Sequence, residues 1–92
     1  MIIRIMGDGQ YRVNSSLFDT LNTIDNRIVE LVQRGEDELF KKELSRLIGV
    51  IQREGERIPD DELVESDVIV PPADMTLIEA RDVFRGTGIF AG

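Results

Sequence analysis

Five carboxylates crowd one short stretch of the chain: Asp60, Asp61, Glu62, Glu65 and Asp67. Clustered oxygens of this kind suit hard cations such as calcium. The spacing lacks the D-x-[DN]-x-[DN]-G-x5-E order of a calcium loop, and no second carboxylate cluster supports a two-metal site. A solvated acidic loop is the simpler reading, and such a loop also suits docking to a basic partner. Gly7-Asp8-Gly9 can be read as a phosphate cradle, but it lacks the third glycine of a dinucleotide fingerprint and the lysine of a P-loop. It joins two predicted strands, so a hairpin turn explains it better. Ser15 and Ser16 have no His to activate them, and Lys41 and Lys42 fall on the polar side of a predicted helix. Helix capping accounts for both serines.

The absences are as informative. The 92 residues include no His, Cys or Trp, which excludes disulfides, thiolate or imidazole catalysis and zinc sites of the usual kind. No set of residues supports catalysis, and no cofactor is implied. With 18 acids against 11 bases the net charge is −7, which argues against nucleic acid and against anionic lipid as direct partners. No apolar run approaches the roughly 20 residues of a membrane span, and Met1 to Met6 is too short for a signal peptide. The expectation is a cytoplasmic protein with no direct membrane insertion, peripheral to a membrane only through a partner.

These residues must be positioned by a small α+β fold. Ile2 to Met6 is rich in β-branched residues, and Gln10-Tyr11-Arg12-Val13 alternates polar and apolar, so the two predict a β-hairpin. Tyr11 and Val13 share one face and Arg12 the other. Asn14, Ser15 and Ser16 precede an apolar stripe of Leu17, Leu21, Ile24, Ile28 and Leu31, with Asp25, Glu30 and Arg34 placed toward its polar side. Gly35 ends that helix. A second stripe, Leu39, Phe40, Leu44, Leu47, Ile48 and Ile51, predicts a helix closed by Gly55, and the short joint predicts an antiparallel pair. Gly49 interrupts this helix, either as a weakness or as a point of close approach.

Composition changes at Gly55. Residues 54 to 67 hold seven acids and one base, so this segment carries −6 of the total. Val68-Ile69-Val70 reads as a short strand or extended anchor, stopped by Pro71-Pro72. Thr76-Leu77-Ile78-Glu79 is a capping-box pattern opening a helix to about Phe84. Ile89 and Phe90 form an apolar tip. The whole, residues 1–92, is read as a single domain. Residues 1–55 form a β-hairpin packed on an antiparallel helical hairpin, and residues 56–92 form an acidic loop, an extended segment and a C-terminal helix. Surplus apolar residues such as Phe40, Ile58, Ile89 and Phe90 are candidates for a partner interface.

At this point a family resemblance appears. Met1-Ile2-Ile3-Arg4-Ile5-Met6-Gly7-Asp8-Gly9-Gln10-Tyr11-Arg12-Val13 is similar to the opening of the PspAA family of PspA-associated proteins. Leu21-Asn22 and Ile24-Asp25 resemble its first-helix pattern. Pro59 to Val64, Ser66 to Asp74 and Thr76 to Arg81 resemble its second block, and Gly88-Ile89-Phe90-Ala91-Gly92 its usual ending. Between Arg27 and Arg57 the likeness is only one of pattern. The resemblance implies a small accessory, with no established enzyme activity, of PspA. PspA is a coiled-coil, ESCRT-III-like protein of the phage-shock, or envelope-stress, response, which assembles on stressed membranes. The resulting expectation is a non-enzymatic adaptor that binds a PspA-like coiled-coil protein and modulates its assembly or membrane engagement. Its binding residues are expected among Asp60, Asp61, Glu62, Glu65, Asp67, Ile89 and Phe90. Two rival expectations are an ion- or ligand-sensing module built on the acidic loop and a self-associating structural domain, a homo-oligomer.

Overall fold

The computed structural model of the chain describes residues 1–90. Strand β1 (Ile2–Ile5) turns through Met6 to Asp8 into β2 (Gly9–Arg12), with Ile2 opposite Arg12 and Ile3 opposite Tyr11. A 3-10 turn, Ser15–Leu17, follows, and Asn14 Oδ1 caps it by accepting the Ser16 N–H at 2.9 Å. Helix α1 (Phe18–Arg34) ends at Gly35, whose φ of +71° is a left-handed conformation that favours glycine. The N–H of Glu36 reaches back to the Leu31 carbonyl at 3.0 Å, the closing bond of a Schellman-type end. Helix α2 (Asp37–Glu54) then runs back against α1, with Asp37 and Glu38 in its first turn and Arg53 in its last, charges that suit the helix dipole.

The second half of the chain completes the sheet. Strand β3 (Glu56–Arg57) adds antiparallel to β2, and β4 (Val68–Val70) adds parallel to β1, giving the order β3-β2-β1-β4. The predicted β-hairpin is therefore the centre of a four-stranded mixed sheet. Only a dipeptide marks β3, and neither Glu nor Arg favours strands, so nothing in its composition announces it. Helix α3 (Leu77–Ala80) is shorter than its pattern predicts, because the chain leaves regular helix at Arg81 and continues in turns to Val83. Its capping box is formed: Thr76 Oγ1 accepts the Glu79 N–H at 3.3 Å, and the Thr76 N–H donates to Glu79 Oε1 at 3.1 Å.

One face of the sheet, made by Ile3, Ile5, Tyr11, Val13 and Val70, lies in the same buried cluster as the stripes of α1 and α2. The tail joins this core. Phe84 meets Phe40 edge to face at 6.2 Å, and Phe90 meets Phe18 in the same way at 6.4 Å. Phe40, Ile58 and Phe90 are therefore buried within the chain, not surplus surface. Phe90 is only 1% exposed, so the expected apolar tip is corrected: its ring fills the chain's own core, and only Ile89 beside it is partly exposed. Gly49 also differs from one of its two readings, since a Cβ there would meet nothing within 4 Å and no close approach depends on it.

Candidate functional site

The acidic residues lie on a strap across the sheet's outer face. Leaving β3 at one edge, the chain must pass β2 and β1 to reach β4 at the other. Side chains of the sheet anchor it on the way. Gln10 points away from the helices and donates its amide to the Val64 carbonyl at 3.0 Å and to Ser66 Oγ at 2.8 Å. These bonds explain how a glutamine on the outer face comes to be buried. Arg12 pairs with Glu62 at 3.6 Å, Arg57 reaches Asp60 at 3.6 Å, and Asp67 accepts the Ile2 N–H at 2.7 Å.

Those anchors spread the carboxylates apart. Asp60, Glu62 and Asp67 turn to three different partners on three strands. Among the described residues Asp61 and Glu65 are in no ion pair, and both are exposed. No three carboxylates among the described residues converge where they could hold a metal ion. What the strap offers is an acidic ridge with one apolar residue on its crest, Leu63, which is 96% exposed.

Beside the strap the sheet is open. Arg4 and Ile69 are opposite one another across β1 and β4, and Met6, one position past β1, is held by its N–H bond to the Val70 carbonyl at 2.9 Å. Ile69 and Met6 are 55% and 51% exposed. The alternation that buries Ile3, Ile5 and Val70 against the helices sends these three outward.

Two polar clusters escaped the sequence reading. The first is centred on Asp8 in the hairpin turn. Its carboxylate accepts from the Tyr11 hydroxyl at 2.7 Å, from Gln52 at 3.0 Å and from Arg57 at 2.8 Å, and its carbonyl accepts from Arg57 at 3.0 Å. The Arg57 guanidinium also stands 5.8 Å from the Tyr11 ring centre, within cation–π range. A Cβ at position 9 would fall 2.8 Å from Arg57 Nη2, so Gly9 leaves the room that this arginine uses. Hydrogen bonds from Gln52 and Tyr11, and then Arg57, hold the Asp8 carboxyl below its ordinary range, while burial and Asp8 push the Tyr11 phenol up. The cluster ties the turn to the end of α2 and to β3. Its strong pair, Arg57 with Asp8, is mutually satisfied.

The second is Asp25. Placed toward the polar side of α1 by its sequence pattern, it is 0% exposed. The C-terminal tail covers it: the N–H groups of Ile89 and Phe90 donate to its two carboxylate oxygens at 3.2 and 2.9 Å. Burial pushes its carboxyl above the ordinary range, against the opposing effect of these two bonds. Gly88 makes the approach possible. Its φ is +80°, and a Cβ there would fall onto the Asp25 carboxylate. The only signal that joins Asp25 to the tail is the resemblance, whose first-helix and final blocks meet here. Ala91 and Gly92 of the final block lie outside the described residues.

Between the helices, Thr20, Thr23, Ile24 and Arg27 of α1 face Glu43 and Arg46 of α2 across an open groove of about 420 Å³. Arg46 is 3.4 Å from Glu43, and Arg27 is 3.8 Å from Glu30, so both arginines have acidic neighbours. Ser15 and Ser16 lie in the turn before α1. Among the described residues, every buried polar side-chain atom has a hydrogen-bond partner, and no helix is long and apolar enough to cross a membrane.

A mixed sheet backed by a helical hairpin, with its polar groups engaged in tying segments together and a strap across its outer face, defines a small α+β protein. The chain belongs to the PspAA family: the family model described as PspA-Associated protein matches residues 1–92. Its family is one of PspA-associated accessory proteins and not a known enzyme family. Comparison with curated proteins and with solved structures returns no match.

Proposed function

We propose that the protein is a non-enzymatic accessory that binds a PspA-type coiled-coil protein in the cytoplasm and modulates its assembly or its engagement of the membrane. The observation that carries this reading is the family match over the whole chain. The form of the molecule supports it. A rigid helical hairpin and a sheet with one open face offer surfaces to a partner helix, a recognition mode in which apolar anchors seat and charges orient. Of the residues expected to bind, Asp61 and Glu65 on the strap have no ion pair among the described residues, while Asp60, Glu62 and Asp67 present their remaining oxygens from anchored positions. Ile89, partly exposed beside the buried Phe90, is a lesser candidate.

The ion-sensing reading loses ground, because the strap disperses its carboxylates toward Arg57, Arg12 and the Ile2 amide. The test of the adaptor reading is pull-down of the PspA-type protein by the tagged chain across a salt series. Retention at low salt that declines as salt rises supports it, since exposed charges are screened beyond about 10 Å at 0.1 M salt. No retention at low salt sinks it.

A further inference from the structure

We infer that residues 88–90 are a hinged latch on α1. They swing out as a unit about the linker Arg85-Gly86-Thr87, while Phe84 and the rest of the fold stay in place, and so gate a seat that the closed chain hides. The latch is a property of this chain alone, so it stands whether or not the adaptor role does.

The tail is held at two places with an exposed stretch between them. Upstream, Phe84 is buried against Phe40, and its N–H donates to the Ala80 carbonyl at 2.8 Å. Downstream, Asp25 accepts the Ile89 and Phe90 N–H groups, and the Phe90 ring lies against Phe18. Arg85, Gly86 and Thr87 are all exposed. The bond that closes this stretch is its own, from the Gly88 N–H to the Arg85 carbonyl at 3.0 Å. Among the described residues Arg85 is in no ion pair. Gly86 and Gly88 have φ of +60° and +80°. Glycine moves between such conformations and the ordinary ones at little steric cost, so the linker can absorb a change of direction that its two anchors cannot.

Few interactions close the latch. Opening it gives up two hydrogen bonds to one carboxylate and the packing of one ring, whereas unfolding gives up the sheet and both helical stripes as well. A segment holding so small a share of the contacts opens at a lower free energy than the whole chain. Asp25 also gains from opening. It is in no ion pair among the described residues, so its 0% exposed carboxylate rests on two backbone donors and regains water when they leave. Closure is nonetheless specific, because a Cβ at Gly88 would fall onto that carboxylate. The seat that opening uncovers is an acceptor for two successive backbone N–H groups beside the flank of Phe18.

The test is native-state hydrogen exchange, followed by NMR on the full chain across low urea concentrations. The Ile89 and Phe90 amides are expected to exchange at least about tenfold faster than those of Leu47 and Ile48 in α2. Their rates should also be nearly independent of urea, because opening the latch exposes little surface. Equal rates with the same steep urea dependence overturn the latch, since the tail would then open only with the whole chain. The Phe90→Ala variant gives a second reading. Its Ile89 amide is expected to lose protection while Leu47 and Ile48 still exchange at least about a hundredfold slower than in an unfolded chain. Loss of protection at all three together, or a variant that does not fold, makes the tail part of the one cooperative core and overturns the latch.

Discussion

The carboxylate of Asp25 accepts the backbone N–H of Phe90 at 2.9 Å, across 65 positions of sequence, while the neighbouring Ile89 N–H donates to its other oxygen at 3.2 Å. One side chain thus satisfies two backbone donors of a tail that has no strand or helix to satisfy them. The tail in return removes Asp25 from water. This exchange closes the chain's last described turn onto α1 and brings the Phe90 ring against Phe18.

Removing the acceptor strands both donors in a buried setting. Hydrogen bonds to charged groups are worth about 1.5–3 kcal/mol each, and these two share one desolvated carboxylate, so Asp25→Ala is expected to cost about 2–4 kcal/mol. Asp25→Asn, which keeps one accepting oxygen, should lose less. Gly88→Ala combines left-handed strain with a clash on the carboxylate and should lose at least about 2 kcal/mol. Urea denaturation of the three variants measures each.

Phe90 serves the core, so its truncation should be felt in stability before it is felt in binding. A buried Phe→Ala change typically costs about 3–5 kcal/mol. The same loss is expected at Phe40, the fully buried partner of Phe84. Thermal melts of both variants check this. A Phe90→Ala protein that melts with the wild type would mean that the ring is not seated where α1 receives it.

Two aspartates give opposite pH signatures. Asp8 titrates below its ordinary value of 3.8, chiefly through the Gln52 and Tyr11 hydrogen bonds. Its contribution is present above 3.8 and lost as pH falls through the folded-state value. Asp25 titrates above 3.8 because it is buried, so the folded state binds its proton more readily than the unfolded chain does. Its contribution is complete below 3.8 and is lost as pH rises through the folded-state value. Denaturation between pH 7 and pH 3 should therefore show a shallower acid loss for Asp8→Asn than for wild type, and a steeper one for Asp25→Asn.

Gly49 is an opportunity for stabilisation. It lies inside α2 with free space around its missing Cβ. Gly49→Ala should add about 0.5–1 kcal/mol, a rise of roughly 2–8 °C in melting temperature for a domain of this size. Gly55→Ala should do the reverse, because a Cβ there would meet the Ile51 carbonyl at 2.6 Å and the Tyr11 and Val13 side chains at 3.2 Å. A pair of melting curves decides both.

The elements built on local rules were readable from the chain. The hairpin followed from alternation around Gly7-Asp8-Gly9, both long helices from their stripes and glycine ends, and the α3 capping box from Thr76 and Glu79. What escaped depends on contacts between distant segments. Asp25 looks solvent-facing until the tail is laid on it. Gln10 looks exposed until Val64 and Ser66 take its amide. Glu56 and Arg57 form a strand only because β2 offers its edge. The acidic residues were recognisable as a group, but their dispersal onto Arg12, Arg57 and the Ile2 amide is a product of the strap's route across the sheet.

The adaptor role is tested most directly by isothermal titration of the chain into the PspA-type coiled-coil protein at low ionic strength. Saturable heat with a defined stoichiometry, weakening as salt is raised, is the result predicted. Absence of heat and of any co-sedimenting complex at the same low salt contradicts it.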